Sequence, residues 1–295
     1  MRMRIAVAAG LLLPFAIVPA AQARKSDPIR YAVPLKDGKL RVVLRSGAAR
    51  TLKALAEGTA PVAVSEDGTR AAYFRPKDRA LVTYPAGRRM GSIRQPRNEA
   101  GVDETRLMLS PDGRRLAYFG NDGLYRARVF DTATGKKIGT LPPPTDLWAA
   151  GFSGDGGEVL LVSSYAPTTD AVVTDLRGRV LRRDTPPQIV GHNLPRDDSE
   201  GKVAALAADG RRIVVYVPGE APGLVVYDLT TRQTGQKLPL KQRPAAATWT
   251  GNHEVTLRVD DGKRTQRLKV DVESGAIEVV DAYRTPTNRA YHAGG

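Results

Sequence analysis

The sequence predicts an all-β chain folded as a six-bladed β-propeller, on three observations. A strand–turn–strand phrase with Asp-Gly at its turn recurs along the chain, and a second strand–turn–strand phrase interleaves with it. The turn glycines Gly68, Gly113, Gly156 and Gly210, with Gly251 one place out of register, are spaced by 45, 43, 54 and 41 residues. That is the ~40–45-residue period of a four-stranded blade, with one insertion. The second phrase supplies the other two strands of each period.

The first phrase reads VAVSEDGTRAAYF at 62–74, LMLSPDGRRLAYF at 107–119, AGFSGDGGEVLLV at 150–162 and AALAADGRRIVVYV at 204–217, with a weaker copy, ATWTGNHEVTLRV, at 247–259. The strand after each turn is nearly continuous in apolar residues, as a strand sandwiched between neighbouring blades requires. These copies are the inner strands a and b. The second phrase occurs at 80–93, 127–141, 171–183, 224–238 and 267–280, with a sixth copy, KLRVVLRSGAARTL, at 39–52. It alternates more, as strands c and d nearer the rim should. Asp131, Asp175, Asp228 and Asp271 close strand c in four copies. An Asp there can accept from backbone amides of the turn, and Gly supplies the positive φ.

The two ends complete each other. The N-terminal piece offers strand b at Ile29–Leu35 and then c and d, but no strand a. The tail Ala282–His292 can supply it, closing the ring without an open sheet edge at the splice. Six blades result; five blades plus a loose N-terminal hairpin is the alternative.

Ahead of the repeats, Met1–Arg4 is basic, Ile5–Pro19 is almost wholly apolar, and Ala21-Gln22-Ala23 is a small–x–small cleavage pattern. Residues 1–23 therefore read as a signal peptide for the general secretory route, leaving 24–295 as a single propeller domain. No later stretch is long and apolar enough to span a bilayer. The product is expected to be secreted or periplasmic, and a monomer. The chain has no cysteine, which excludes disulfides, thiolate metal sites and a cysteine nucleophile.

The phrase Ser110–Phe119 resembles the repeat of bacterial WD-repeat-like propellers of the TolB type and of the non-catalytic propellers of prolyl-oligopeptidase relatives. The resemblance covers most of residues 29–281, and implies a propeller acting as a binding scaffold. Two departures matter: only a few residues separate the cleavage site from the first strand, where TolB-type proteins carry an α/β domain, and there is no room for a hydrolase domain.

Motifs for chemistry are scarce. The string Gly151–Gly156 misses the spacing of a serine-hydrolase elbow by one residue, and Ser153 falls on the repeat position of Ser65 and Ser110. The three histidines, His192, His253 and His292, have no close metal-ligand spacing. The repeated Asp67, Asp112, Asp155 and Asp209 read as turn residues, because a calcium loop needs alternating acids and each copy offers one. Phosphate loops are missing. No catalytic residue and no cofactor is assigned, while calcium held by distant blades stays open. Trp148 and Trp249 fall at blade starts, as packing residues or, less expectedly, ligand-facing ones.

Two surface features remain. The insertion Asp184–Lys202 joins one blade to the next and carries a candidate binding loop of His192, Asn193, Arg196, Asp197 and Asp198. The turns of the opposite face carry a candidate basic face: Arg70, Arg88, Arg89, Arg114, Arg115, Lys136, Lys137, Arg211 and Arg212, within a formal charge of +14. The same cations also serve as solvated gatekeepers of apolar strands. The function expected is a non-enzymatic exported scaffold for a protein or an anionic envelope polymer or lipid. The alternative is a lactonase- or lyase-type enzyme with its site at the channel mouth. Aromatics are only 6% of residues, too few stacking platforms for nucleic acid, which is not expected as a partner.

Overall fold

The computed structural model describes residues 27–35, 37–55, 61–94, 105–120, 127–142, 147–165, 168–195, 202–286 and 292–293. The leader assigned to residues 1–23 lies outside them. Blade 1 begins with β1 (Ile29–Leu35), β2 (Lys39–Leu44) and β3 (Ala49–Lys53). Blade 2 is β4 (Ala63–Val64), β5 (Ala71–Phe74), β6 (Ala80–Tyr84) and β7 (Arg88–Arg94), and blade 3 is β8 (Arg106–Leu109), β9 (Arg115–Phe119), β10 (Ala127–Asp131) and β11 (Lys137–Thr140). Blade 4 is β12 (Leu147–Phe152), β13 (Glu158–Tyr165), β14 (Thr168–Asp175) and β15 (Val180–Asp184), followed by a helix, α1 (Gln188–Gly191). Blade 5 is β16 (Ala204–Leu206), β17 (Arg212–Val217) and β18 (Gly223–Asp228), with an outer strand broken into β19 (Gln233–Thr234) and β20 (Leu238–Pro239). Blade 6 is β21 (Pro244–Trp249), β22 (Glu254–Asp260), β23 (Arg264–Asp271) and β24 (Ile277–Arg284). Finally β25 (His292–Ala293) returns to pair antiparallel with Tyr31 and Ala32 of β1.

Six antiparallel sheets result, and the tail does supply the inner strand of blade 1. Of the tail expected to close the ring, Ala282–Arg284 belong instead to the outer strand β24, and among the described residues His292–Ala293 pair with β1. The five-bladed alternative is ruled out.

Five of the six blade interfaces are apolar. Cores of buried side chains join blades 1 and 2, 2 and 3, 3 and 4, 4 and 5, and 5 and 6. Strand β17, whose residues Ile213–Val217 are all buried, contributes to two of these cores at once. At the interface of blades 4 and 5, the buried Tyr227 hydroxyl donates to Asp184 at 2.5 Å, and Arg232 bonds the same carboxylate at 3.1 Å. Burial, then the bond to Asp184, pushes this phenol up to about 12. The unfolded chain loses the proton near pH 10 and the folded chain near 12. The stability it contributes is therefore full below pH 10 and drains above it, by up to about 1.4 kcal/mol per pH unit. Urea unfolding of Tyr227→Phe between pH 10 and 12 should show a flatter dependence on pH than the native chain; parallel profiles would refute this coupling.

The sixth interface, where blade 6 meets blade 1, is built differently. Arg258, Arg267 and Asp281 lie opposite one another on adjacent strands of blade 6, so they share the face turned to blade 1. Arg30 of β1 donates from Nε and Nη2 to Asp281, both at 3.1 Å. Tyr31 stacks on Tyr283 with ring centroids 5.2 Å apart, and the Arg30 guanidinium lies over the same Tyr283 ring. Arg267 reaches the Glu66 carboxylate of blade 2, and also donates to the Glu66 main-chain oxygen at 3.2 Å. Side chains of this pair are only 11% and 6% exposed, so it is a buried salt bridge. Burial pushes the Glu66 carboxyl up against the pull of Arg267, and burial with the neighbouring Arg267 charge lowers Arg45. Among the described residues, no apolar cluster spans blades 6 and 1.

Candidate functional site

The turn face is built from one repeated unit. Ser65, Ser110 and Ser153 each donate their hydroxyl to the Asp two residues on, at 2.7, 2.6 and 2.6 Å. The same hydroxyl accepts from the amide five residues on, at 3.0, 2.9 and 2.9 Å. Asp67, Asp112, Asp155 and Asp209 then accept from the amides of Thr69, Arg114, Gly157 and Arg211. The left-handed Gly68, with φ of 72°, lies so close to blade 1 that a Cβ would stand 2.4 Å from the Ile29 carbonyl oxygen. No side chain fits there.

The strand-closing aspartates behave as the sequence suggested. Asp131, Asp175, Asp228 and Asp271 accept from amides of the turns that follow them. The amide and hydroxyl of Ser274 hold Asp271 below the usual carboxylate range. Burial pushes Asp131 up, but the amide and hydroxyl of Thr134 with Arg115 outweigh it and leave it lowered. These carboxylates are engaged in organising turns, which fixes where the adjacent cations emerge.

Over blades 1, 2 and 3 the turns enclose a groove of about 650 Å³. Arg70, Arg114 and Arg115 line it together with Asp27, Asp67, Asp112 and Asp131, and Ile29, Leu44, Tyr84 and Pro85 give it apolar wall. Arg115 bonds Asp131 at 2.6 Å, whereas Arg114 is 80% exposed and only 3.4 Å from Asp112. The turns carrying Arg88, Arg89, Lys136 and Lys137 touch one another at its edge, where the Gly91 amide donates to the Gly135 oxygen at 2.9 Å, and all four cations are exposed. The rim therefore adds four cations to a floor where three arginines meet four aspartates. Arg211 is exposed on blade 5, away from the groove, while Arg212 is drawn in over the Trp249 ring at 5.2 Å. Seven of the nine cations of the candidate basic face thus gather on one sector.

The candidate binding loop divides. Val190 and Leu194 are fully buried in the core of blades 4 and 5, so α1 anchors the start of the insertion. His192 is exposed at the end of α1, and the Asn193 side chain donates to the Ile189 oxygen at 2.8 Å. Arg196, Asp197 and Asp198 lie outside the described residues. His192, His253 and His292 stand on the insertion, a turn of blade 6 and the closing strand, and the fold does not bring them together.

On the opposite face, the channel mouth brings Trp148, which the sequence offered as a packing or ligand-facing residue, together with Arg106, which no motif singled out. A cavity of about 300 Å³ is lined by Arg106, Trp148, Pro195, Lys202 and the alanines Ala150, Ala204, Ala245, Ala246 and Ala247. Arg106 lies over the Trp148 ring, its guanidinium carbon 4.7 Å from the centroid. Deeper in the channel, a space of about 200 Å³ is walled by Val64, Met108, Leu109 and Phe152 and ends near Glu66. The one available signal was position: Arg106 and Trp148 open strand a of successive blades, where inward-facing residues meet.

No protein-family model matches the chain, and no curated protein does. Among solved structures, TolB from Acinetobacter baumannii is similar at 16% identity, over 90% of this chain and 65% of that one, with a TM-score of 0.50. A protein described as TolB of Agrobacterium tumefaciens is similar at 12% identity, over 87% of this chain and 90% of that one, also at 0.50. The chain thus has the fold of TolB-type propellers, and spans about two thirds of the Acinetobacter protein's length.

Proposed function

We propose that the chain is an exported, non-enzymatic binding propeller that takes an acidic segment of an envelope protein into the turn-face groove. The observation that carries this reading is the groove over blades 1 to 3. Its carboxylates are engaged in turn hydrogen bonds, while Arg114 and the four rim cations project outward. A mixed floor with a basic rim and apolar wall suits a polypeptide, which offers carboxylates and side chains together. Export rests on the basic, apolar and small–x–small segments before residue 24. The non-enzymatic reading is supported by the channel, whose described lining is mostly Ala, Val, Leu, Met and Phe, with Glu66 engaged by Arg267. The TolB-type neighbours agree with a binding role without supplying a partner.

The reading is tested with labelled poly-L-glutamate and the chain lacking residues 1–23, followed by fluorescence anisotropy across a salt series. Binding should weaken with salt, as screened charge pairs do. Arg70→Glu together with Arg114→Glu should weaken it by about ten-fold, and Arg211→Glu on blade 5 by less than about two-fold. Polyphosphate bound equally well, and equally disturbed by Arg211→Glu, would point instead to a diffuse polyanion surface. No binding at low ionic strength would end the electrostatic reading.

A further inference from the structure

One sheet edge is built unlike the others. The outer strand of a blade leaves N–H and C=O groups open on one side, a template for a further strand. Most of these edges are guarded. β3, β7 and β15 each carry two or three Arg or Lys, β11 is four residues long and begins on Lys137, and the outer strand of blade 5 is broken into β19 and β20. β24 is eight residues long, reads IEVVDAYR, and has its one cation, Arg284, at its last position. Ile277, Val279 and Val280 on it are 46%, 57% and 42% exposed. We propose that β24 is a self-association edge, on which a second copy of this chain pairs antiparallel through its own β24.

Three observations support this. Ile277 and Val279 lie opposite Val270 and Leu268, which are buried between blades 5 and 6, so the same apolar face runs on into solvent. A bulge leaves Val280 without a partner on β23, and adds a third apolar side chain where a charge would ordinarily guard the edge. The strand is also complementary to itself. Glu278 near one end and Arg284 at the other are exposed, and neither forms an ion pair among the described residues. Lys269, opposite Glu278, is held by Glu254, and residues 287–291 beyond Arg284 include no acid. An antiparallel pair about a two-fold axis near Asp281 sets Glu278 of each copy beside Arg284 of the other, so one contact is made twice. Asp281 itself stays with Arg30 on the face turned to blade 1. A dimer departs from the monomer expected of the sequence, because strand alternation shows that a face is apolar and not whether another blade covers it.

Sedimentation velocity of the chain lacking residues 1–23, over a wide concentration series, should show a reversible monomer–dimer equilibrium. Val279→Lys places a cation on the edge and should weaken the dimer by about ten-fold. Glu278→Arg and Arg284→Glu should each weaken it by about ten-fold, by setting like charges opposite one another. Mixed in equal amounts, those two variants should associate as well as the native chain, because each then meets the opposite charge. All three positions are exposed, and far-UV circular dichroism verifies that each variant is folded. The charge pair carries the test if Val279→Lys is not. Arg70→Glu together with Arg114→Glu should leave the dimer unchanged, which separates this edge from the groove. A native chain that stays monomeric but sediments with phosphatidylglycerol vesicles would overturn the proposal in favour of a membrane edge. It is equally overturned if the chain stays monomeric without binding them, if folded Val279→Lys associates as the native chain does, or if the two charge variants associate no better mixed than apart.

Discussion

Arg267→Met is expected to lower the free energy of unfolding by about 3–5 kcal/mol, the cost of stranding one member of a buried ion pair. Glu66 would be left with its carboxylate almost inaccessible and its partner gone. The loss should be large because the interface of blades 6 and 1 has no apolar cluster among its described residues to compensate. What remains there among the described residues is Arg30 on Asp281, the Tyr31–Tyr283 stack and the pairing of His292–Ala293 with β1. Glu66→Met combined with Arg267→Met should recover most of the loss, since a matched apolar pair carries no desolvation penalty. Urea unfolding of the native chain, the two single variants and the double variant gives the coupling directly. A single-variant loss below about 1 kcal/mol would show that the pair does not hold the ring closed.

Trp249→Ala should cost a similar amount, about 3–5 kcal/mol, by a different mechanism. Trp249 is fully buried in the core between blades 5 and 6, among Val214, Tyr216, Val255, Leu257 and Leu268. Its removal leaves a cavity between two sheets that cannot collapse far, because each is held by its own hydrogen-bond ladder. Trp148→Ala, at the half-buried channel mouth, should cost less than about 1 kcal/mol. Thermal or urea unfolding of both variants distinguishes them, and equal losses would contradict the assignment of Trp249 to packing and Trp148 to the channel.

Much of the fold was legible from the repeat. The turn of Ser110, Asp112 and Gly113 is shaped by local hydrogen bonds of Ser110 and Asp112, so its residue types and spacing carry its geometry, while bonds from Asp67 and Thr132 only dock it on its neighbours. The strands after such turns, Leu116–Tyr118 or Ile213–Val217, are apolar in sequence because both faces are covered. The closure by the C-terminal tail was also legible, because an unpaired inner edge on β1 demands a strand from elsewhere.

The polar seam could have been anticipated and was not. β22 reads EVTLRVD, alternating polar and apolar, where β17 reads RIVVYV. The alternation announces a blade with one apolar face, which packs on blade 5, and one polar face, which meets blade 1. What periodicity does not give is the partner: Arg267 and Glu66 are 201 residues apart, and only the closed ring makes them neighbours. The groove and the channel share that dependence. Arg70 and Arg114 belong to one repeat position, so their common face was expected, yet their place in a groove with Asp131 depends on how turns of successive blades lean together.

By itself, the sequence determined the period, the turn chemistry and the face on which the turn cations lie, because each is a short-range consequence of residue type. Tertiary structure alone decided between six blades and five, which cations share a groove, which residues converge on the channel, and that the described contacts of blades 6 and 1 are ion pairs and a tyrosine stack where the other interfaces bury apolar clusters. Those are contacts between residues far apart in the chain, and no local pattern records a distance that exists only after six sheets have closed.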